Sequence, residues 1–582
     1  MTGGQVQLTV TDQARAKELP PKRRWWLIVA GLIIVLAGAF LAQLVRTTDG
    51  TTVRDIRFTG ANGTVMSALL YVPKNATLTD PAPGILAVHG YINSRETQDG
   101  FAIEFARRGY VVLSLDQTGH GYSGGAAFSN GFGGPDGLKY LRSLPMVDTN
   151  QIGLEGHSMG GWTVLAAAAA MPEAYSSMVL EGSSTGAPFA QEGSTTWPRN
   201  LALVFSRYDE FSKLMWNVDR AQDVQTSEKL KAVFGTDAPV VEERLFGSIA
   251  EGTARKLYQP STTHPGDHFS PTAIGNATEW FAATLKGGTP RAVSDQIWYW
   301  KEVGTGIGLV GFIMIMLGVF DALVRLPVFA SLAVEAIPAN ERRDSRWWRA
   351  FVVNTALPAL LFYPTFVAAF FLLPASTLLP QAITTQIALW AVVGAGVSLL
   401  IGRFMRRPVD THQSNWTKSV LLAAATVAAG YGALWLVDQL FLTDFRLWVV
   451  AVKLPNLRQL GIAAIYLVPI TFAFLVMIRS LSSTTVRSDS GRLQYVAAIL
   501  ALTTGFIVML SVIYGVFFMT GSLITAFDPL STVIGLQFVP VLTAVAIIGV
   551  FTWRRTGSYR PGGLVAGMLV TLYVVAGTAT QI

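Results

Sequence analysis

The rhythm of hydrophobic and polar positions changes twice along the chain. Residues 25–45 carry no charge, a run long enough to cross a bilayer, and they follow the basic cluster Lys22-Arg23-Arg24. From residue 53 the period becomes two. Val53-Arg54-Asp55-Ile56-Arg57-Phe58, a turn at Gly60-Ala61-Asn62-Gly63 and a second run at 65–72 predict antiparallel strands joined as a hairpin. Short, continuous apolar runs follow at 84–88 and 111–115, with a helical stretch at 100–108 between them, the pattern of buried parallel strands joined by a crossover helix. Further strands are expected at 151–155, 177–181, 201–205 and 255–259. Such alternation builds an α/β domain, a twisted and mostly parallel sheet covered by helices, over residues 50–288.

Beyond the linker Gly287-Gly288-Thr289-Pro290 the pattern changes again. Apolar spans recur at about 303–324, 350–373, 386–402, 419–440, 460–478, 494–519, 533–552 and 562–581, so residues 300–582 are expected to form an all-α transmembrane bundle. Composition agrees: 51% of residues are hydrophobic and 14% charged, against about 25% charged in soluble domains. The run at 25–45 exceeds the roughly 7–15 residues of a signal-peptide core and is read as an uncleaved anchor. Residues 1–24 are then a cytoplasmic tail, and the α/β domain faces the extracytoplasmic side of a plasma membrane. The arginine-rich loops around Arg342-Arg343, Arg403 with Arg406 and Arg407, Arg487 and Arg554-Arg555 fall on the tail's side, as the positive-inside rule requires. Arg446, Lys453 and Arg458 break that pattern, which suggests an interfacial amphipathic helix over 445–457.

The net charge of +7 resides beside apolar spans, so membrane orientation explains it and nucleic-acid binding is not expected. Cysteine is absent, which excludes disulfides and thiolate chemistry. No metal constellation and no cofactor motif is visible. Asp321 with Arg325, and Asp438, are the ionisable residues inside spans; their positions near span ends fit local pairing better than an ion path.

The chemistry concentrates at Gly156-His157-Ser158-Met159-Gly160-Gly161, between an apolar strand and an Ala-rich helix. A serine held on so sharp a strand-to-helix turn needs small residues two before and two after it, and Gly156 and Gly160 supply them. The hydroxyl then stands at a helix N-terminus, where backbone N–H groups favour negative charge.

Taken with His89-Gly90-Tyr91 after the third strand and Asp116-Gln117-Thr118-Gly119-His120-Gly121-Tyr122-Ser123 after the fourth, this region resembles the α/β-hydrolase superfamily. It is similar to esterase, lipase, dienelactone-hydrolase and serine-aminopeptidase members without separating them. The resemblance implies Ser158 as nucleophile, with the backbone N–H groups of Tyr91 and Met159 as oxyanion donors. The superfamily order of nucleophile, acid, histidine leaves His264 and His268 as bases. His268, next to Phe269-Ser270 and ahead of a helix opened by Pro271, is the favoured one, and His264 a pocket residue. Asp209, in the loop after the 201–205 strand, is the implied acid; Glu181 is second choice and Glu210 points elsewhere. Asp116 is read as holding its glycine-rich turn. His89 and His157 are assigned to the substrate site. So are Met215 and Trp216, in an insertion over 211–252 that is either a lid or simple packing.

The expectation is a membrane-bound serine hydrolase of hydrophobic or lipid carboxylic esters, working without a cofactor and touching membrane lipid. Peptidase and acyltransferase chemistry on the same triad, and an inert receptor or transporter component, are the alternatives.

Overall fold

The computed structural model describes residues 25–404 and 414–582. The expected tail 1–24 lies outside the described residues, as do Arg406, Arg407 and His412. Helix α1 (Trp25–Arg46) leads into β1 (Thr52–Thr59) and β2 (Val65–Val72), the expected antiparallel hairpin. Next come β3 (Ala82–Val88), α2 (Asp99–Arg107), β4 (Val111–Asp116), α3 (Gly134–Arg142), β5 (Val147–His157) and α4 (Met159–Ala170). The domain continues with β6 (Ser177–Glu181), β7 (Leu201–Val204), α5 (Ser212–Trp216), α6 (Glu228–Phe234), β8 (Arg255–Tyr258) and α7 (Pro271–Thr284). The strands pair in the order β1-β2-β4-β3-β5-β6-β7-β8, with β2 antiparallel to both neighbours and every later pair parallel.

The apolar runs are explained by this architecture. Side chains alternate along each strand and so feed two cores, one on each face of the sheet. Leu86, Val88, Leu113, Leu115, Leu154 and Leu203 belong to one core. Ile85, Ala87, Val112, Val179 and Val204 belong to the other, with Phe101 and Phe105 of α2 and Trp280 and Phe281 of α7.

The rest of the chain forms α8 (Trp298–Leu323), α9 (Ser345–Leu372), α10 (Ala382–Phe404), α11 (Trp416–Phe441), α12 (Leu457–Ser482), α13 (Gly491–Thr520), α14 (Pro529–Thr556) and α15 (Tyr559–Gly577). Among the described residues nine helices, α1 included, are long and apolar enough to cross a membrane. Helix α1 docks on α8 through small residues: a Cβ on Gly311 would lie 2.7 Å from the Gly31 carbonyl, and one on Gly304 2.5 Å from that of Gly38. Only glycine allows backbones this close.

The segment after α11 corrects an expectation. Residues 445–457 are not an amphipathic helix; they open as a hairpin of β9 (Phe445–Leu447) and β10 (Val450–Val452). Val449, Val450 and Val452 favour extended backbone. Arg446 is also not a surface charge. It is buried and held by Asp444 at 2.7 Å, Ser94 at 3.1 Å and Thr97 at 2.5 Å, the last two from the α/β domain.

A buried ionic layer continues this seam. Arg46 donates to the Leu442 carbonyl at 2.8 Å and to the Tyr71 hydroxyl at 3.2 Å, and Tyr71 donates to Asp99 at 2.5 Å. Lys301 of α8 pairs with Asp99 at 3.0 Å, and Lys453 with Glu96 at 3.4 Å. Removing one member of such a buried pair strands the other charge and costs about 3–5 kcal/mol, so the layer fixes how the bundle sits on the sheet.

Candidate active site

The turn between β5 and α4 holds Ser158 at φ 55°, ψ −121°, in the left-handed region that side chains avoid. Its N–H donates to the Glu181 carbonyl at 2.8 Å, and its own carbonyl accepts from Gly161 at 2.9 Å. The two flanking glycines are obligatory. A Cβ on Gly156 would overlap the Gly160 carbonyl, and one on Gly160 would overlap the Val88 carbonyl. The His89-Gly90-Tyr91 turn backs onto the elbow, since a Cβ on Gly90 would lie 3.1 Å from the Ser158 Cβ. Met159 opens α4, where the first N–H groups have no carbonyl within the helix to bond. Tyr91 and Met159 both line the cavity that holds Ser158.

The acid–histidine pair differs from the expected one. Asp209 Oδ2 lies 2.8 Å from Nδ1 of His264, not of His268. An isolated parallel bridge between Tyr208 and Thr263 extends the β7–β8 pairing beyond both strands and sets His264 against the Asp209 loop. His268 lies one turn further on, its ring 4.2 Å from that of His157 and edge-on to Phe101, and neither of its ring nitrogens has a hydrogen-bond partner among the described residues. Space for the pair comes from Gly182, at φ +52°, where a Cβ would sit 2.8 Å from His264 Nδ1.

His264 is held at three points. Its N–H donates to Glu210 Oε2 at 2.8 Å, its carbonyl accepts from His157 Nε2 at 3.0 Å, and its ring meets Asp209. The other Asp209 oxygen accepts from the Phe211 N–H at 2.8 Å. Burial pushes the His264 imidazole down to about 4 and the Asp209 carboxyl well up. The imidazole is therefore neutral, and with its Nδ1–H donated to Asp209 Oδ2 it keeps a free Nε2 lone pair, the form a general base needs.

The other candidates separate by position. His157, His264, His268 and Met215 line the Ser158 cavity. His89 and Trp216 do not. His89 is fully buried beneath the turn, its Nδ1 2.7 Å from the Gly90 carbonyl and its Nε2 accepting from the Gln117 N–H at 3.3 Å, so it braces that turn. Trp216, next to the cavity-lining Met215 on α5, is buried in the core with its indole N–H donated to the Ser183 carbonyl at 3.0 Å. Asp116 accepts from the N–H groups of Arg95 and Tyr122 at 2.8 and 3.0 Å, which pins its glycine-rich turn. Glu181 is buried, neither carboxylate oxygen has a hydrogen-bond partner among the described residues, and burial pushes it well above the usual carboxylate range. Among the described residues no group of three or more His, Asp or Glu side chains is placed to hold a metal ion.

The cavity measures about 890 Å³ and belongs to both halves of the chain. One wall is an aromatic run from Tyr91 to Phe128, Phe189 and Trp162, with successive ring centroids 5.6, 5.7 and 4.8 Å apart. Opposite it stand residues of the bundle: Phe370 and Phe371 of α9, Ile383 of α10, Trp448, and Phe527 just ahead of α14. Sequence reasoning missed this wall because nothing local tells which helix ends return to Ser158.

Comparison with known proteins places these features in context. Residues 79–234 match the family model described as serine aminopeptidase, S33. Over 119 residues the chain is 34% identical to the monoacylglycerol lipase of Mycolicibacterium smegmatis; the match covers 19% of this chain and 40% of that protein, less than half its length. Among solved structures, a hypothetical protein from Pseudomonas aeruginosa is 26% identical over 23% of this chain and 43% of its own, with a TM-score of 0.21. An esterase from Pyrococcus furiosus is 18% identical over 40% of this chain and 90% of its own, with a TM-score of 0.28. The dienelactone hydrolase of Anabaena variabilis is 16% identical over 40% and 99%, also with a TM-score of 0.28.

Proposed function

We propose that this chain, an α/β hydrolase joined to a bundle of long apolar helices, is a membrane-embedded serine hydrolase that cleaves carboxylic esters of apolar acyl groups. The observation that carries the reading is the cavity: the strained Ser158 and His264, whose ring Asp209 holds, open into one largely apolar space shared with the bundle. The lipase relative supports an ester substrate, and the nine apolar helices support a membrane location.

In this mechanism His264 Nε2 takes the Ser158 proton as Oγ attacks the ester carbonyl carbon. Asp209 keeps Nδ1 protonated and offsets the charge that forms on the ring. The tetrahedral oxyanion is received by the N–H groups of Tyr91 and Met159. As the intermediate collapses, the C–O bond breaks and His264 returns its proton to the leaving alcohol, which leaves an acyl group on Ser158. Water, deprotonated by His264, attacks that acyl group and releases the carboxylic acid and the free serine.

The family model's description raises an aminopeptidase reading, which calls for carboxylates near the serine to hold a substrate amine. Of the two carboxylates that line the cavity among the described residues, Asp528 caps α14 through the Ser531 N–H at 3.1 Å, and Glu302 is paired with Lys301 at 2.8 Å through one oxygen, its other oxygen having no hydrogen-bond partner among the described residues. The aromatic walls favour an acyl chain. The test is fluorophosphonate labelling of the detergent-solubilised full chain: wild type labels and Ser158→Ala does not, whereas absence of labelling on folded wild type removes the hydrolase reading.

A further inference from the structure

The cavity has a mouth, and the residues that line it while remaining exposed show where it is. On the bundle side these are Phe370, Phe371, Phe527 and Trp448, exposed by 66%, 73%, 69% and 37%. On the hydrolase side they are Phe128, Phe189 and Leu214, each also well exposed. All seven are hydrophobic. An aqueous entrance to a polar substrate site would not be fringed this way, because exposed apolar area in water is unfavourable unless something covers it.

The position of the mouth says what covers it. Phe370 and Phe371 stand in the last turn of α9, whose 28 residues are long and apolar enough to cross a bilayer. Phe527 precedes α14, a helix of the same kind, and the two are locked together at this end: the Tyr363 hydroxyl lies 2.8 Å from that of Thr532, and the Tyr363 and Phe527 rings are 5.9 Å apart. Ala382 and Ile383 bring the start of α10 to the same wall. Three spans thus end at the opening, which sets it at the level where acyl chains begin.

We infer that the seam between the two halves is a lateral portal, through which a single acyl chain of a lipid ester passes from the adjacent leaflet to Ser158 between Phe370, Phe371 and Phe527 on one side and Phe128 and Phe189 on the other. This rests on the hydrolase reading above. It assigns the bundle a part in the active site beyond anchoring, since the bundle supplies one wall of the path. The volume of about 890 Å³ is near the top of the ~300–1,000 Å³ that commonly encloses a small ligand, ample for one extended chain bent toward the serine.

The experiment uses the full chain in phosphatidylcholine vesicles with two probes, p-nitrophenyl palmitate dissolved in the bilayer and water-soluble p-nitrophenyl acetate. The readout is the ratio of kcat/KM for palmitate to that for acetate. Phe371→Glu and Phe527→Glu put a charge where hydrocarbon must pass, and the ratio falls about tenfold or more. Leu400→Glu, on an exposed apolar site at the far end of α10, leaves the ratio at the wild-type value. In unaltered protein, a palmitate ester bearing a terminal diazirine crosslinks to peptides holding Phe370–Phe371 and Phe527. A ratio unchanged in both portal variants, or crosslinks confined to other helices, overturns the portal while acetate turnover keeps the hydrolase reading intact. No acetate turnover by wild type removes both.

Discussion

The hydroxyl of Tyr514, in the last two turns of helix α13, donates a hydrogen bond of 2.8 Å to Glu210, and Glu210 accepts the N–H of His264 through its other oxygen. A helix of the bundle therefore holds the backbone of the histidine loop through two hydrogen bonds. Tyr514→Phe removes one hydrogen bond without changing shape, worth roughly 1 kcal/mol, so kcat is predicted to fall about fivefold with KM for a short-chain ester unchanged. Steady-state kinetics in vesicles check this. A loss of melting temperature with kcat of the folded protein intact would reduce the contact to a structural tie.

The pairing of Asp209 with His264 predicts opposite fates for two neighbouring histidines. His264→Ala removes the base and is predicted to lower kcat by about four orders of magnitude, the scale on which serine-hydrolase triads fail. His268→Ala leaves the proton path in place and changes ester turnover far less. The comparison is a hydrolysis assay on the two purified variants, and the reverse order would restore His268 as the base.

Gly182 gives a test of geometry alone. A methyl group there would sit 2.8 Å from His264 Nδ1 and 3.1 Å from Asp209 Oδ2, on a residue at positive φ. Gly182→Ala is predicted to separate the pair and reduce kcat steeply. Its circular dichroism stays that of wild type, because the sheet itself is untouched.

Stability should respond to pH in two opposed windows. Burial, aided by Asp209, pushes Glu210 up from an ordinary value of 4.5 to about 8. Its contribution is complete below 4.5, declines as pH rises toward 8 and levels off above it. Burial lowers His264 from 6.5 to about 4, so its contribution is complete above 6.5 and is lost as pH falls toward 4. From these two groups thermal stability is predicted to fall both as pH drops below 4.5 and as it rises from 6.5 to 8. Glu210→Gln flattens the upper decline and His264→Gln the lower; an upper limb unchanged by Glu210→Gln would contradict the assignment.

What could be read from the sequence follows the range over which each feature is decided. Strands buried on both faces appear as apolar runs whatever packs on them, so β3, β4 and β6 were visible. Ser158 was legible because its turn admits only glycine at 156 and 160. The loop after β7 pointed to Asp209, which the structure pairs with a histidine. His264 and His268 were not separable, since they share one loop and the choice depends on the non-local bridge from Tyr208 to Thr263. Trp216 read as a pocket residue because an indole suits a cavity as well as a core. Arg446 read as part of an interfacial amphipathic helix because its partners, Ser94 and Thr97, lie in the other half of the chain. The seam that walls the cavity is the product of such long-range pairing and leaves no local pattern.

The most direct test of a Ser158-centred hydrolase is to trap its intermediate. The full chain is mixed with p-nitrophenyl octanoate, quenched in acid within seconds, and its peptides are weighed by mass spectrometry. The account predicts an octanoyl group on the peptide carrying Ser158 in wild type and none there in Ser158→Ala or His264→Ala. An acyl group on a different residue, or ester turnover that survives in Ser158→Ala, would contradict it.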